Sequence, residues 1–499
     1  MPMLDSRVHP RVQAWLVTPG KSMWCDGRVF AGASTARIAV RDPATTAVVA
    51  SVPDAAAEDV EHIVATAATA MKAGAWSGST PSDRERCLLR LADLVDSNGD
   101  ELQHLIVVEN GKLLSAARRE VDGSVRFIRY AAGWATKIAG ETLDVNFEQP
   151  GTRFLAYTRR EPIGVVAGII PWNMPLSMAV WKAVPALACG CAVVIKPAEE
   201  TPLSALRLAE LATEAGVPAG WLSVVTGGAR AGAALVAHPL VAKVSFTGST
   251  EVGRLVAQTA GARLARASLE LGGKSPVMVF GDVDAASVAS AVAQGIFYNQ
   301  GQVCAAGSRL YVHRLRFDEM VERVGQIAAS LTLGSGFDTG AQLGPLVSEA
   351  QRERVLGYIQ GGRAGGARTV VGGGAPNRPG YFVEPTVFTD ARADLAIVRE
   401  EIFGPVLVAQ PFDDEDELVA AVNGTEYGLS ASLYTQDLSR AHRLIPRIKA
   451  GMVFVNSPAR TDPNLPFGGV KASGMGREHG SSMIDLYTEL KSVVIGYRT

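Results

Sequence analysis

No apolar stretch in the 499 residues approaches the ~18–20 needed to cross a membrane. Nor does any dense run of Lys and Arg disturb a net charge of −2. The first lack leaves no reason to expect a membrane partner, and the second leaves no electrostatic footprint for nucleic acid or anionic lipid. The opening residues place Asp5, Arg7 and His9 where a secretory leader needs an apolar core. Cysteine is scarce too: Cys25, Cys87, Cys189, Cys191 and Cys304 are too few and too scattered for a disulfide scaffold. A reduced, cytoplasmic protein is the expectation. The seven histidines show no ligand spacing, and Cys189-x-Cys191 lies in apolar ALACGCAVVIK, the setting of buried structural thiols. No metal is expected.

What is abundant is alternation. Short β-branched runs (IGVVAGII 163–170, CAVVIK 191–196, LSVVTG 222–227, VAKVSFTG 241–248) are separated by helical segments such as PLSMAVWKAVPALA (175–188) and PLSALRLAELATEAG (202–216). In the latter, Leu203, Leu206, Leu208, Leu211 and Ala212 form one apolar stripe while Arg207, Glu210 and Glu214 stay polar. Strand, turn, helix, strand predicts βαβ units and a parallel sheet buried on both faces. The texture resumes at SPVMVFGD (275–282), DAASVASAVAQGIF (284–297), SRLYVHR (308–314) and a helix near Phe317–Ser330. It returns once more through PVLVAQPF (405–412), DEDELVAAVNG (414–424), LSASLYT (429–435), SRAHRLIPRIKAG (439–451) and MVFVN (452–456). Two α/β blocks are therefore expected, meeting near residues 270–275. The Gly-rich stretch 361–380 reads as solvent loops around a short strand. Two extended segments, TRFLAYTRREP (152–162) and KSVVIGY (491–497), fit neither block. Their edges call for partners; an internal hairpin is one solution, and pairing across the subunits of a symmetric oligomer is preferred.

Several catalytic signatures are missing. GSTEVG (248–253) is followed by Arg254 and Leu255 rather than the Lys-Ser/Thr of a nucleotide-hydrolysing loop, and neither G-x-G-x-x-G nor G-x-S-x-G occurs. A strand–Gly–helix junction remains a place where phosphate meets backbone N–H groups. Cys304 is unlike the other thiols: FYNQGQVCAAGSR (297–309) is a polar, Gly-flanked turn with room around the sulfur. Glu270 stands in apolar LELGGKSP (269–276), where burial raises a carboxylate pKa and suits a general base. Asn173, in IIPWNMP (169–175), follows a buried strand at the end where open α/β sheets place ligand groups. Its amide suits an oxyanion.

Together IIPWNMP, IKPAEETP (195–202), FTGSTEVG (246–253), LELGGKSP, GQVCAAGSR (301–309), EEIFGPV (400–406) and PFGGVKASGMGRE (466–478) resemble the aldehyde dehydrogenase superfamily, in its order and over essentially the whole chain. The resemblance implies a Rossmann-like nicotinamide-binding domain (1–139 and 161–271), an α/β catalytic domain (272–476) and a β-arm for oligomerisation (140–160 and 477–499), in a homotetramer or homodimer. It implies Cys304 as the nucleophile that forms a thiohemiacetal and then a thioester. Asn173 would hold the oxyanion with the Cys304 N–H, and Glu270 would activate the hydrolytic water. It implies, too, an assisting role in proton transfer for Lys182, against the usual habit of a helical lysine to sit in solvent. Contacts to the cofactor would come from Ile169, Pro171, Trp172, Lys196, Glu199, Gly228, Gly248, Ser249, Leu271, Gln351, Glu401 and Phe403. A carboxylate at Glu199 repels a 2′-phosphate, so NAD is expected over NADP. After VVTG the loop GGARAG (227–232) is one residue shorter than the common form, which bears on the placing of Gly227 and Gly228.

The partner is expected to be a small-molecule aldehyde without charge. Gly123, Met174, Ser177, Met178, Trp181, Tyr298, Val303 and Phe467 would line an apolar tunnel, widened at Gly123 and Ser177. A wide, aromatic-lined tunnel suits an arylalkyl aldehyde such as phenylacetaldehyde. Phrasing at RYAAGWATKIAGETLD (129–144) and TDPNLPFGGVKASG (461–474) resembles the arylacetaldehyde branch of the family. The alternative is a permissive tunnel taking many medium-chain aliphatic aldehydes. A catalytically silent structural or binding member of the fold would tolerate loss of Cys304, Glu270 or Asn173, and all three are present.

Overall fold

The computed structural model describes residues 5–17 and 21–498. Residues 1–4, 18–20 and 499, which belong to the first and last expected segments, lie outside the described residues. The first sheet runs Gly474–Met475, Arg266–Glu270, Val241–Thr247, Val165–Ile169, Ala192–Lys196, Leu222–Val224, Met23–Cys25, Arg28–Phe30. Its five central strands are parallel. Val165–Ile169 and Ala192–Lys196 are buried at every position, as their uninterrupted apolar runs require. The helix Pro175–Ala188 opens with Pro at its first turn, where the missing N–H costs nothing. It is apolar nearly all round because it is sandwiched between the sheet and the helix Leu114–Ala132.

Strand order reverses between Val165–Ile169 and its neighbour Val241–Thr247. The chain leaves the first towards Ile195 and leaves the second towards Arg266, opening a crevice beyond both C-terminal ends. IIPWN and FTGST therefore meet there, although some 75 residues apart in sequence.

The chain passes to a second sheet between Glu270 and Pro276. That sheet runs Arg368–Val371, Thr386–Thr389, Val406–Phe412, Arg309–His313, Pro276–Val279, Ser430–Tyr434, Met452–Val455, all parallel except the first pair. Three expectations need adjusting. The Gly-rich stretch is not all loop: the helix Glu349–Ala364 runs into it, because Gly362 packs where a Cβ would stand 2.8 Å from Ile397. The helix expected near Phe317 starts at Arg314, capped by the His313 ring. The helix expected over 439–451 stops at Leu444 and tightens into a 3-10 turn at Ile445–Arg447, where Pro446 cannot supply the next N–H. The two extended segments pair with each other inside the chain, Thr488–Arg498 antiparallel to Thr152–Pro162 over eleven residue pairs. So the internal solution accounts for that shared edge. Leu490, Val494, Ile495 and Tyr497 remain exposed on the outer strand.

Candidate active site

Between the two sheets lies a cavity of about 870 Å3 that includes Cys304, Glu270 and Asn173 in its lining. Cys304 is delivered by an unusual turn. Asn299, Gln300 and Gly301 all adopt positive φ (49°, 58° and 71°), a conformation that costs energy at the first two. Only glycine fits at 301, since a Cβ would stand 2.1 Å from the Gly404 carbonyl. The Asn299 amide bonds the carbonyls of Asn173 and Gln302 (3.2 Å each), and the Asn173 amide donates to the Gln302 carbonyl at 2.9 Å. Asn173 is thus tied to the turn that carries the thiol. Burial pushes the Cys304 thiol up to about 12, helped by the carboxylates of Glu401 and Glu270 and opposed by the N–H groups of Ala305 and Cys304.

Glu270 ends the strand Arg266–Glu270 and is buried. Its Oε2 has no hydrogen-bond partner among the described residues. Burial, then the negative charge of Glu478, holds its pKa well above the ordinary carboxylate range, against the opposing pull of Lys182, Arg477 and the Gly469 N–H. An unpartnered carboxylate of raised pKa beside a cavity is what a base acting on water requires. Lys182 is 0% exposed, contrary to the solvated habit of helical lysines. It pairs with Glu478 and donates to Thr247 Oγ1 at 2.6 Å. Glu478 was not singled out in the sequence, although it ends the PFGGVKASGMGRE motif.

The eight residues expected in the tunnel, Gly123, Met174, Ser177, Met178, Trp181, Tyr298, Val303 and Phe467, all line this cavity. Two further wall residues escaped the sequence. The Phe127 ring stands 6.0 Å from Trp181, and His479 meets the same indole edge-on at 4.0 Å. Burial pushes His479 down to about 4, so it is a neutral wall rather than a charge. Arg119, Arg126 and Arg460 line the cavity as exposed residues, with Asp462 nearby. No sequence pattern set them apart from other surface arginines.

Of the expected cofactor contacts, Pro171, Trp172, Gly248, Ser249, Leu271, Gln351, Glu401 and Phe403 line the cavity as well. Trp172 and Phe403 meet edge-to-face at 5.1 Å, Gln351 Nε2 donates to the Phe403 carbonyl at 2.8 Å, and Ser249 caps the helix Thr250–Ala262. Glu401 accepts from the Gly273 N–H at 2.9 Å and is pushed up to about 7 by burial. Ile169, Lys196, Glu199 and Gly228 do not line the cavity. They gather at the adjacent strand ends: Ile169 pairs with Lys196, Lys196 Nζ lies 3.9 Å from Glu199, and a Cβ at Gly228 would stand 3.2 Å from Glu199 Oε1. Asp54, which the sequence did not mark, receives the Gly228 N–H at 2.9 Å. A dinucleotide fits this layout. Its adenosine end would find a lysine, a carboxylate and a bare glycine backbone, and its pyrophosphate a capped helix N-terminus.

A thiol, a base of raised pKa and a fixed amide donor converge on one cavity, a set suited to acyl transfer through a thioester. The family model described as "Aldehyde dehydrogenase family" matches residues 30–493. Phenylacetaldehyde dehydrogenase of Pseudomonas fluorescens is 53% identical over 463 residues, 92% of each chain. Betaine aldehyde dehydrogenase of Vibrio vulnificus is 41% identical over 474 residues, 94% of this chain and 96% of that one. Among solved structures, the NAD+ complex of an aldehyde dehydrogenase from Bacillus cereus matches with a TM-score of 0.95 and 42% identity, over 98% of this chain and 99% of that one.

Proposed function

The chain belongs to the aldehyde dehydrogenase family, and from that premise we propose that it oxidises an arylalkyl aldehyde such as phenylacetaldehyde to the acid with NAD. The observation that carries this reading is the single cavity shared by Cys304, Glu270, Asn173 and an aromatic wall. NAD supplies the hydride acceptor. Lys196 and Glu199 would hold its ribose, Ser249 and Gly248 its phosphate side, and Trp172, Leu271, Glu401 and Phe403 its nicotinamide side. Burial raises the pKa of the Cys304 thiol, so its proton must pass to a base, Glu270, and on to solvent as sulfur attacks the aldehyde carbon. The Asn173 amide and the Cys304 N–H receive the negative oxygen that results, and loss of that carbon's hydride to bound NAD would leave a thioester on Cys304. Glu270, with one oxygen unpartnered, takes the proton from water as water attacks the thioester carbon and releases the thiolate and the acid.

The substrate class rests on the wall. Trp181, Phe127, Phe467 and Tyr298 offer faces and edges to an aryl ring, and resemblance to the Pseudomonas enzyme, itself a phenylacetaldehyde dehydrogenase, supports the same choice. The division of labour follows the two sheets, with the arm Thr152–Pro162 and Thr488–Arg498 presenting its apolar outer strand to another copy of the chain. The test is NADH formation with phenylacetaldehyde beside benzaldehyde, hexanal, acetaldehyde and betaine aldehyde, each with NAD and NADP. A kcat/KM maximum at phenylacetaldehyde with NAD is expected. A flat profile would overturn the arylalkyl assignment, and equal efficiency with NADP would overturn the role given to Glu199.

A further inference from the structure

The stretch Glu109-Asn110-Gly111-Lys112 places three polar side chains in an otherwise apolar context, and all three are 0% exposed. Two of them bond the segment that carries the oxyanion amide, and the third caps a neighbouring helix. Glu109 receives the N–H groups of Leu203 (2.6 Å) and Ser204 (3.1 Å), capping the helix Leu203–Ala215. The Asn110 amide donates to the carbonyl of Trp172 at 2.9 Å. Lys112 Nζ donates to the carbonyl of Asn173 at 2.7 Å and to Glu120 Oε2 at 2.6 Å, and touches Met174 Sδ at 3.4 Å. The other oxygen of Glu120 receives the N–H groups of Leu176 (3.0 Å) and Ser177 (3.1 Å), at the first turn of the helix Pro175–Ala188. One ion pair thus spans Asn173: the lysine holds its carbonyl and the glutamate holds the turn that follows.

Burying an ion pair gains little over a well-packed apolar pair, because desolvation offsets the attraction. Stability alone is therefore a poor account of its presence. Geometry is a better one. The Asn173 side chain commits one amide hydrogen to the Gln302 carbonyl, and where the other points depends on the backbone that Lys112 fixes. Small misplacements of a preorganised donor cost much of its effect. We infer that Lys112 and Glu120 are positioning residues for the oxyanion amide, acting on the reaction only through Asn173. The inference rests on the oxyanion role given above to Asn173.

A double-mutant cycle separates the two claims. Lys112→Met combined with Glu120→Gln removes both charges together, so no lone buried carboxylate is left, and the glutamine oxygen still caps the helix. The first-turnover rate of NADH formation should fall roughly ten- to hundredfold, with NAD affinity by fluorescence titration within about twofold. In the Asn173→Ala background the same pair should change that rate by less than about twofold. Glu120→Asp alone, which keeps both charges and shortens the reach, should show a smaller loss with the same dependence on Asn173. Equal losses in both backgrounds, or no loss in the wild-type background, would overturn the positioning role. An unaffected rate in Asn173→Ala by itself would overturn the oxyanion reading instead.

Discussion

At the buried end of the cavity, Glu270, Glu478 and Asn173 have little exposed surface; Asn173 is tied to the Gln302 carbonyl, Glu478 pairs with Lys182, and Glu270 ends a strand. At the exposed end, Arg119, Arg126 and Arg460 stand in solvent, and Arg119 rests 5.2 Å from the Tyr298 ring centroid. The buried end has few ways to change without loss, because Lys182 and Glu478 compensate each other there and Glu270 responds to both. The exposed end has no such constraint, since solvent screens its charges. On the function proposed above, reaction type is built into the first, and substrate choice into the second and the aromatic wall between them.

That contrast can be broken by substitution. Cys304→Ser should lower turnover by roughly 10⁴–10⁶ while NAD binding persists, measured by steady-state NADH formation and fluorescence titration. Asn173→Ala should cost ~10²–10³ in turnover, about 3–4 kcal/mol of barrier, as the loss of one oxyanion donor does. A charge change beside Glu270 should move a pH profile rather than a maximum rate. The base works deprotonated, so thioester hydrolysis falls as pH drops through its raised pKa. Glu478→Gln removes a negative neighbour that raises that pKa and frees Lys182 to lower it, so the acid limb should move down by about one pH unit. Lys182→Met should move it up. At the wall, Trp181→Ala should reduce the preference for phenylacetaldehyde over hexanal by about tenfold, read as a ratio of kcat/KM values. Should the wall change cost as much as the Asn173 change, the division between the two ends fails.

The same contrast explains what could be read from the sequence. Both sheets were legible because uniformly apolar strands such as Val165–Ile169 announce burial on both faces. Cys304, Glu270 and Asn173 were legible because each stands as a polar residue in a stretch otherwise committed to packing or turning. Lys112 sits in a short link between two helices and Glu120 among Arg118, Arg119 and Asp122, so neither stood out, and their target at 173–177 is set by tertiary packing. Glu478 was inside a noted motif, and only the fold shows it against Lys182. The arginines could not be found, because an exposed arginine at a cavity looks in sequence like any other. Pairing of the two extended segments with each other depended on tertiary packing that brings 488–498 beside 152–162, which no local pattern encodes.

The most direct test of the central claim follows the acyl group itself. Glu270→Gln is mixed with NAD and phenylacetaldehyde, and NADH and the tryptic peptide containing Cys304 are followed together. The account predicts a burst of about one NADH per site, then slow turnover, with the phenylacetyl thioester accumulating on Cys304. Absence of a burst, or an acyl group on any other residue, would contradict it.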